Sequence, residues 1–112
     1  MRTLKLTLIA IVTSVALAFP SSAGAGTKTL VGTDGPGFTI TMNKKTVKAG
    51  RYVIIIRDRS PIHNFHLTGP GVNKSTSVGA KQTVKWTVTL QAGTYTFRSD
   101  AHKTLRGTLK VS

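Results

Sequence analysis

Beyond residue 26 the sequence is a succession of short alternating apolar segments separated by turn residues, a pattern that restricts the chain to a β-sheet fold. In the clearest segment, residues 84–90, Val, Trp, Val and Leu alternate with Lys and Thr. Strict alternation predicts a strand with one buried face. Residues 53–56 are apolar at every position, which is typical of a central strand. No segment of useful length has helical periodicity.

The predicted strands are 29–31, 38–42, 44–48, 52–58, 62–67, 84–90, 94–98 and 108–111. Alternation places Phe38, Ile40 and Met42 on a buried face, and residues 72–81 are predicted to form a surface loop. About seven to eight short strands at close spacing indicate an all-β sandwich. The chain contains no cysteine, so a closed two-sheet core must stabilise it without disulfides.

Tyr95 follows the turn formed by residues 91–93. A tyrosine in this position resembles the corner of Greek-key sandwiches in which a buried hydroxyl bonds back to nearby backbone. A plain core tyrosine is the alternative. Either arrangement fixes the start of the strand that leads into the C-terminal loop.

Residues 1–25 are predicted to be a cleaved export signal. Arg2 and Lys5 precede an apolar run over residues 6–18, and Ala23-Gly24-Ala25 is a small-x-small cleavage pattern. The run is too short to span a bilayer comfortably, and no later segment is long and apolar enough to be transmembrane. The sequence therefore predicts a single domain, residues 26–112, that is not membrane-spanning and is secreted or periplasmic.

The charge balance is strongly basic. Fourteen of the sixteen Lys and Arg residues lie after residue 25, where they face three Asp and no Glu, so the domain has a net charge of +11. Such a field attracts an acidic protein partner or an anionic cell-envelope polymer. The alternative is that the charge only maintains solubility. Export and the absence of a basic helix argue against nucleic acid.

Two distant segments carry the residues most relevant to function. Residues 58–67 read Asp-Arg-Ser-Pro-Ile-His-Asn-Phe-His-Leu, and Gly-Pro-Gly follows at residues 69–71. Residues 95–107 read Tyr-Thr-Phe-Arg-Ser-Asp-Ala-His-Lys-Thr-Leu-Arg-Gly. Together they resemble a cupredoxin domain of the plastocyanin-like, blue-copper type. The resemblance implies a cupredoxin-like Greek-key β-sandwich over the whole domain and copper as the cofactor.

The resemblance also implies roles for individual residues. His63 and His102 match the two imidazole ligands of copper, and Asn64 matches the residue that links the two loops. Ser99 stands at the thiolate position and Leu105 at the axial methionine position, so both sulfur ligands are replaced.

Alternation independently predicts where these side chains point. In an extended segment 62–67, His63 shares the inward face with Phe65 and Leu67, whereas Asn64 and His66 take the other face. A single inward histidine is usually a hydrogen-bonded core residue, but the match of both segments to one family pattern favours a ligand.

Tyr95, Phe97 and Ser99 likewise share a face, which aims Ser99 inward and Asp100 away from it. His66 and Asp100 remain candidate extra ligands.

The substitutions change the expected chemistry. A serine hydroxyl is neutral and hard where a cysteine thiolate is anionic and soft, so blue-copper electron transfer is not expected. Two imidazoles can still hold Cu(II). The cations on the two segments oppose a dication: Arg57, Arg59, Arg98, Lys103 and Arg106.

Three functions therefore remain open. The first is copper buffering or transfer through a depleted two-histidine site. The alternative is a metal-free binding or structural module with a basic surface, and the third is an electron carrier whose missing ligands are supplied otherwise. An enzyme is not expected, because the sequence offers no glutamate, no recognisable carboxylate pair and no Ser/His/Asp motif.

Overall fold

The computed structural model describes residues 26–112, and the predicted export signal, residues 1–25, lies outside the described residues. The described chain folds into nine strands and no helix: β1 (Lys28–Asp34), β2 (Ile40–Met42), β3 (Thr46–Val47), β4 (Gly50–Asp58), β5 (His66–Gly69), β6 (Val72–Ser75), β7 (Gln82–Leu90), β8 (Gly93–Arg98) and β9 (Arg106–Val111).

The strands form two sheets that pack face to face. The first sheet has the order β2-β1-β4-β7 and the second β3-β9-β8-β5-β6. In the first sheet, β1 runs parallel to β4, and β4 pairs antiparallel with β7 over its whole length. The predicted all-β sandwich is confirmed, with nine strands where seven to eight were expected.

A single hydrophobic core lies between the sheets and is built wholly from residues 30–111. Alternate residues of β4 supply its centre, because Tyr52, Ile54 and Ile56 are buried while Val53 and Ile55 are only half-buried. Six completely buried hydrophobic side chains come from other strands or loops: Leu30, Phe65, Leu67, Leu90, Tyr95 and Leu109.

Several predicted strand boundaries are wrong. The strand expected over residues 62–67 begins only at His66, and the expected loop 72–81 opens with strand β6. Phe38 lies outside any strand and is 60% exposed. Gly35 and Gly37 both have φ near +75°, a conformation that interrupts a strand, so β2 begins only at Ile40.

Tyr95 forms the corner that its position suggested. Its buried hydroxyl accepts a hydrogen bond from the Gln91 amide at 2.9 Å. The hydroxyl also lies 3.0 Å from the Gln91 carbonyl oxygen and 3.1 Å from that of Pro70, so it can donate to either. The corner therefore ties the start of β8 to two turns.

The strand directions define two ends of the sandwich. Parallel pairing sets Lys28 beside Tyr52 at one end, called here the lysine end, and Asp34 beside Asp58 at the other. The loops that carry His63 and His102 lie at the second end, called here the histidine end. No helix within residues 26–112 is long and apolar enough to cross a membrane.

Candidate metal centre

Three side chains from two loops converge at the histidine end. The Nδ1 atom of His63 lies 3.2 Å from Nδ1 of His102 and 3.1 Å from Oγ of Ser99. His63 comes from the loop between β4 and β5, and the other two come from the loop between β8 and β9. The fold thus brings together residues that are 36 and 39 positions apart in the sequence.

The separation of the two imidazole nitrogens suits a shared metal ion. Metal–nitrogen bonds of about 2.0–2.1 Å would place an ion between atoms 3.2 Å apart at an N–metal–N angle of about 100°. Without an ion, the two Nδ1 atoms lie within hydrogen-bonding distance, and the tautomers of the two rings decide which one donates. The two histidines therefore fit a Cu(II) ion, whereas the hydroxyl of Ser99 offers only a weak neutral donor.

The loop between β8 and β9 is closed on itself. The Ser99 amide donates to the Leu105 carbonyl at 3.0 Å, and the Leu105 amide donates to the His102 carbonyl at 2.9 Å. The His102 amide donates to Ser99 Oγ at 3.1 Å. These bonds fix the loop without metal, and Leu105 brings no donor side chain to it.

Asn64 connects the two loops. Its Oδ1 accepts a hydrogen bond from the Asp100 amide at 2.7 Å. Its Nδ2 donates to an Asp100 carboxylate oxygen at 2.9 Å and to the Thr76 carbonyl at 3.0 Å. Asn64 thereby holds the Ser99–Asp100 backbone against the loop that carries His63.

The alternation predicted for residues 63–66 agrees with the side-chain contacts, although β5 begins only at His66. His63 contacts Ser99, and the ring of Phe65 stacks on that of Phe97. Asn64 and His66 instead both bind Asp100. His63, Asn64 and Phe65 are nevertheless all buried, at 0%, 2% and 0% exposure.

His66 and Asp100, the candidate extra ligands, bind each other. Nδ1 of His66 lies 2.8 Å from Oδ1 of Asp100, and Nε2 lies 2.6 Å from Oδ1 of Asn73. Arg98 also donates to Oδ1 of Asp100, from Nε and from Nη2, each at 3.3 Å. Both ring nitrogens of His66 face oxygen atoms, and within residues 26–112 neither residue is hydrogen-bonded to His63 or His102.

The same network sets the ionisation of Asp100. Burial would raise the pKa of Asp100, but hydrogen bonds from His66, Asn64 and Arg98 together outweigh burial and hold the pKa below its usual value. Asp100 is thus an anion that is already neutralised by its neighbours.

His63 is neutral at pH 7. Burial and the neighbouring His102 lower the pKa of His63, while the carboxylate of Asp58 partly opposes them. Its buried Nε2 has no hydrogen-bond partner. A metal bound at Nδ1 would leave the ring proton on the buried Nε2, so the tautomer needed for binding leaves one N–H donor without an acceptor.

A buried carboxylate pair lies at the ends of β1 and β4, although the sequence offered no recognisable one. Asp34 is 0% exposed and Asp58 is 2% exposed, and they are paired across the parallel strands. Both oxygens of Asp34 lack a hydrogen-bond partner. Burial and the adjacent Asp58 raise the pKa of Asp34 to about 8, so the pair holds a proton at neutral pH.

Phe38 is a site residue that sequence reasoning missed. Its ring stands edge-on to both imidazoles, with centroids 4.6 Å from His63 and 4.8 Å from His102. The alternation of residues 38–42 pointed to a core strand, whereas the preceding Gly-Pro-Gly was the signal that the strand had been interrupted. The exposed ring covers the histidine pair on its solvent side.

Within the described residues 26–112, no cluster contains three or more His, Cys, Asp or Glu side chains able to hold a metal. The histidine pair is therefore a two-nitrogen site, and any further ligands of a bound ion would be hydroxyl, carbonyl or water oxygens.

No protein-family model and no curated protein matches the chain. Solved structures do match it, copper proteins among them. Rusticyanin from Thiobacillus ferrooxidans is 15% identical, with 77% of each chain covered and a TM-score of 0.57. Auracyanin A, a "blue" copper protein from Chloroflexus aurantiacus, is 22% identical, covers 78% of this chain and 100% of its own, and has a TM-score of 0.56.

A variant of amicyanin is also similar, at 22% identity, with 73% of this chain and 80% of that chain covered and a TM-score of 0.54. The chain has the cupredoxin fold. At these identities the likeness concerns the fold alone. The sequence contains no cysteine that could supply a thiolate. Its chemistry must be argued from its own residues.

Proposed function

We propose that this protein is an exported cupredoxin-like domain that holds Cu(II) through His63 and His102 and buffers or passes on copper outside the cytoplasm. The observation that carries the proposal is the 3.2 Å separation of the two Nδ1 atoms. Solved structures of the same fold include copper proteins, auracyanin A and rusticyanin, which supports the choice of metal.

The chemistry of the site favours holding copper over cycling electrons. Bound copper would supply a Lewis-acidic, redox-active centre, but the protein offers it nitrogen and oxygen atoms with no soft sulfur donor. His102 is only half-buried, which would let copper exchange with a donor or acceptor. No catalytic role is proposed.

The surrounding charges moderate copper affinity. Arg98, Lys103 and Arg106 on the C-terminal loop repel a dication, and these side chains are exposed or half-buried, so salt screens them. The carboxylate of Asp58 acts on His63 in the opposite sense and is buried, so it is screened less. The balance permits a weak to moderate copper site.

The H102A variant tests the proposal. Because His102 supplies one of only two nitrogen donors, we expect its loss to weaken Cu(II) binding at least about a hundredfold. The measurement is a Cu(II) titration of residues 26–112 by calorimetry, with paramagnetic resonance to count the coupled nitrogens.

The matched control is H66N, which removes the third imidazole of the domain. It should still bind one Cu(II) with two coupled nitrogens. Native protein that binds no copper more tightly than about millimolar, or an H102A variant that still saturates at one copper, would contradict the proposal.

A second candidate function is a metal-free binding module for acidic proteins or anionic envelope polymers. The observation that favours it is the surface of the histidine end, where exposed apolar side chains lie among the cations of the two loops: Phe38, Ile62 and Val78. Such a surface combines an apolar contact with long-range attraction of an anionic partner.

This second function predicts copper-independent, salt-sensitive binding. We expect retention of the metal-free domain on immobilised polyglutamate at about 50 mM NaCl and release at about 500 mM, because salt screens exposed charges. A chelator should have no effect. Retention that does not depend on salt, or that appears only after copper loading, would rule the module out.

A further inference from the structure

A cavity lies at the lysine end of the sandwich, away from the histidine pair. Its volume is about 330 Å³, within the range of small-molecule sites. It opens because β2 pairs only with residues 32–34 of β1 and the chain then crosses to β3 in the other sheet. The Val31 amide donates to the side chain of Asn43. Residues 28–30, which precede Val31, have no strand neighbour on the side of β1 that faces β2.

The lining of this cavity is basic and rich in hydroxyl groups. Three lysines and three residues with a hydroxyl-bearing side chain line it, together with Leu30 and Val47: Lys28, Lys44, Lys48, Thr29, Thr46 and Tyr52. No carboxylate lines it. The Tyr52 hydroxyl donates to the Lys48 carbonyl at 2.6 Å and so fixes the segment that carries this lysine.

The distribution of charge over the domain reinforces this lining. All three side-chain carboxylates of residues 26–112, Asp34, Asp58 and Asp100, lie at the histidine end. The two ion pairs found in the described residues both use Asp100. The three cavity lysines are thus without an anionic partner in this part of the chain.

We infer that this cavity is a binding site for a phosphate monoester with a small apolar body. A phosphate monoester carries about −1.5 to −2 charges at pH 7 and presents three acceptor oxygens, which match three ammonium groups and the neighbouring threonine hydroxyls. A lysine ammonium is a good point-charge donor to phosphate. Val47, which is half-buried, supplies an apolar wall for the body of the ligand.

The site is separate from the histidine pair and does not depend on copper. Six residue steps of β1 separate Lys28 from Asp34, and at about 3.3 Å per residue the two ends lie about 20 Å apart. Phosphate binding should therefore leave the copper titration unchanged.

The test uses residues 26–112, which contain all nine strands and the whole core, at about 150 mM salt to suppress diffuse binding. Phenyl phosphate and inorganic phosphate are titrated by calorimetry, with amide chemical shifts recorded in parallel. We expect phenyl phosphate to bind more tightly than inorganic phosphate and to shift the amides of Thr29 and Thr46.

The K44Q/K48Q variant removes two of the three ammonium groups and should bind phenyl phosphate about tenfold more weakly. The control K74Q/K85Q removes the same charge from β6 and β7, the edge strands remote from the cavity, and should bind like the native domain. Equal weakening in both variants, or no binding by the native domain, would overturn the inference.

A vesicle experiment separates the two sources of such a phosphate. Phosphatidic acid vesicles that retain the domain, with retention abolished by phenyl phosphate and by K44Q/K48Q, would assign the cavity to a lipid headgroup. No retention on these vesicles, together with binding of free phenyl phosphate, would assign it to a soluble ester. If the vesicles still retain the K44Q/K48Q variant and the native domain does not bind phenyl phosphate, the inference that the cavity binds a phosphate monoester would be overturned.

Discussion

The S99C variant, loaded with one Cu(II), is expected to show an intense visible absorption that the copper-loaded native protein lacks. Ser99 Oγ lies 3.1 Å from Nδ1 of His63, and its neighbour in the loop, His102, places a second Nδ1 3.2 Å from the first. A cysteine at position 99 would complete a trigonal set of two imidazoles and one thiolate, the arrangement that gives blue copper its colour.

The effect should be large because the substitution replaces only the hydroxyl oxygen of residue 99 by sulfur and leaves the rest of the site in place. The loop is already closed by the Ser99 and Leu105 amides, and Asn64 holds the adjoining Asp100 backbone, so the new thiolate would be positioned before copper binds. Copper affinity should also rise, since the thiolate restores the negative charge that the serine site lacks.

The matched control is S99A, which removes the hydroxyl without adding sulfur and should remain colourless with copper bound. Visible spectra and paramagnetic resonance of native, S99A, S99C and S99C/H102A proteins, recorded directly after stoichiometric loading, decide the matter. Copper-loaded S99C without a charge-transfer band, or a band that persists in S99C/H102A, would show that position 99 and the two histidines do not share an ion.

The second large effect concerns stability. The D34N variant should be more stable than the native protein at pH 8 and equally stable near pH 4. The pKa of Asp34 is raised from 3.8 to about 8 by its burial and by the adjacent Asp58, so the folded protein keeps a proton that the unfolded chain releases.

The direction follows from proton linkage. A carboxyl whose pKa is raised on folding makes the native protein progressively less stable as the pH rises from about 4 to about 8, by up to about 1.4 kcal/mol per pH unit. Below that window both states are protonated, and above it both are ionised. Asparagine does not titrate, and its amide can donate to the Asp58 carboxylate, so the variant should lack this slope.

The measurement is the free energy of unfolding in urea between pH 4 and pH 9 for both proteins. D100N is the informative comparison, because the pKa of Asp100 is lowered in the folded state and its carboxylate is bound by His66, Asn64 and Arg98. That variant should be less stable than the native protein at pH 7. A D34N protein with an unchanged pH slope, or one that is destabilised at pH 8, would contradict the interpretation of the buried pair.

The sequence was sufficient to predict the class of fold. Alternation at residues 84–90 and the apolar run at 53–56 both correspond to strands of the first sheet, β7 and β4. The Tyr95 corner could also be anticipated, because it depends on a turn only four residues away. Single strands and this corner were predictable because each depends on residues close together in the sequence and not on which strands pair.

The limits of strand prediction have a local cause. The segment 62–67 alternates well enough to look like a strand, but residues 62–65 pack at the end of the sandwich and β5 begins only at His66. Phe38 follows two glycines with positive φ and leaves the core for the histidine pair. An alternating pattern cannot reveal whether a partner strand is present beside it.

The sequence by itself determined an all-β domain with a strongly basic surface, no sulfur ligand, and two loops that could each supply a histidine. Only the tertiary structure decided that the two Nδ1 atoms meet at 3.2 Å, that His66 is engaged by Asp100, and that Asp34 and Asp58 share a buried end. The physical reason is that these contacts join residues 24 to 39 positions apart, and their distances depend on how two sheets pack.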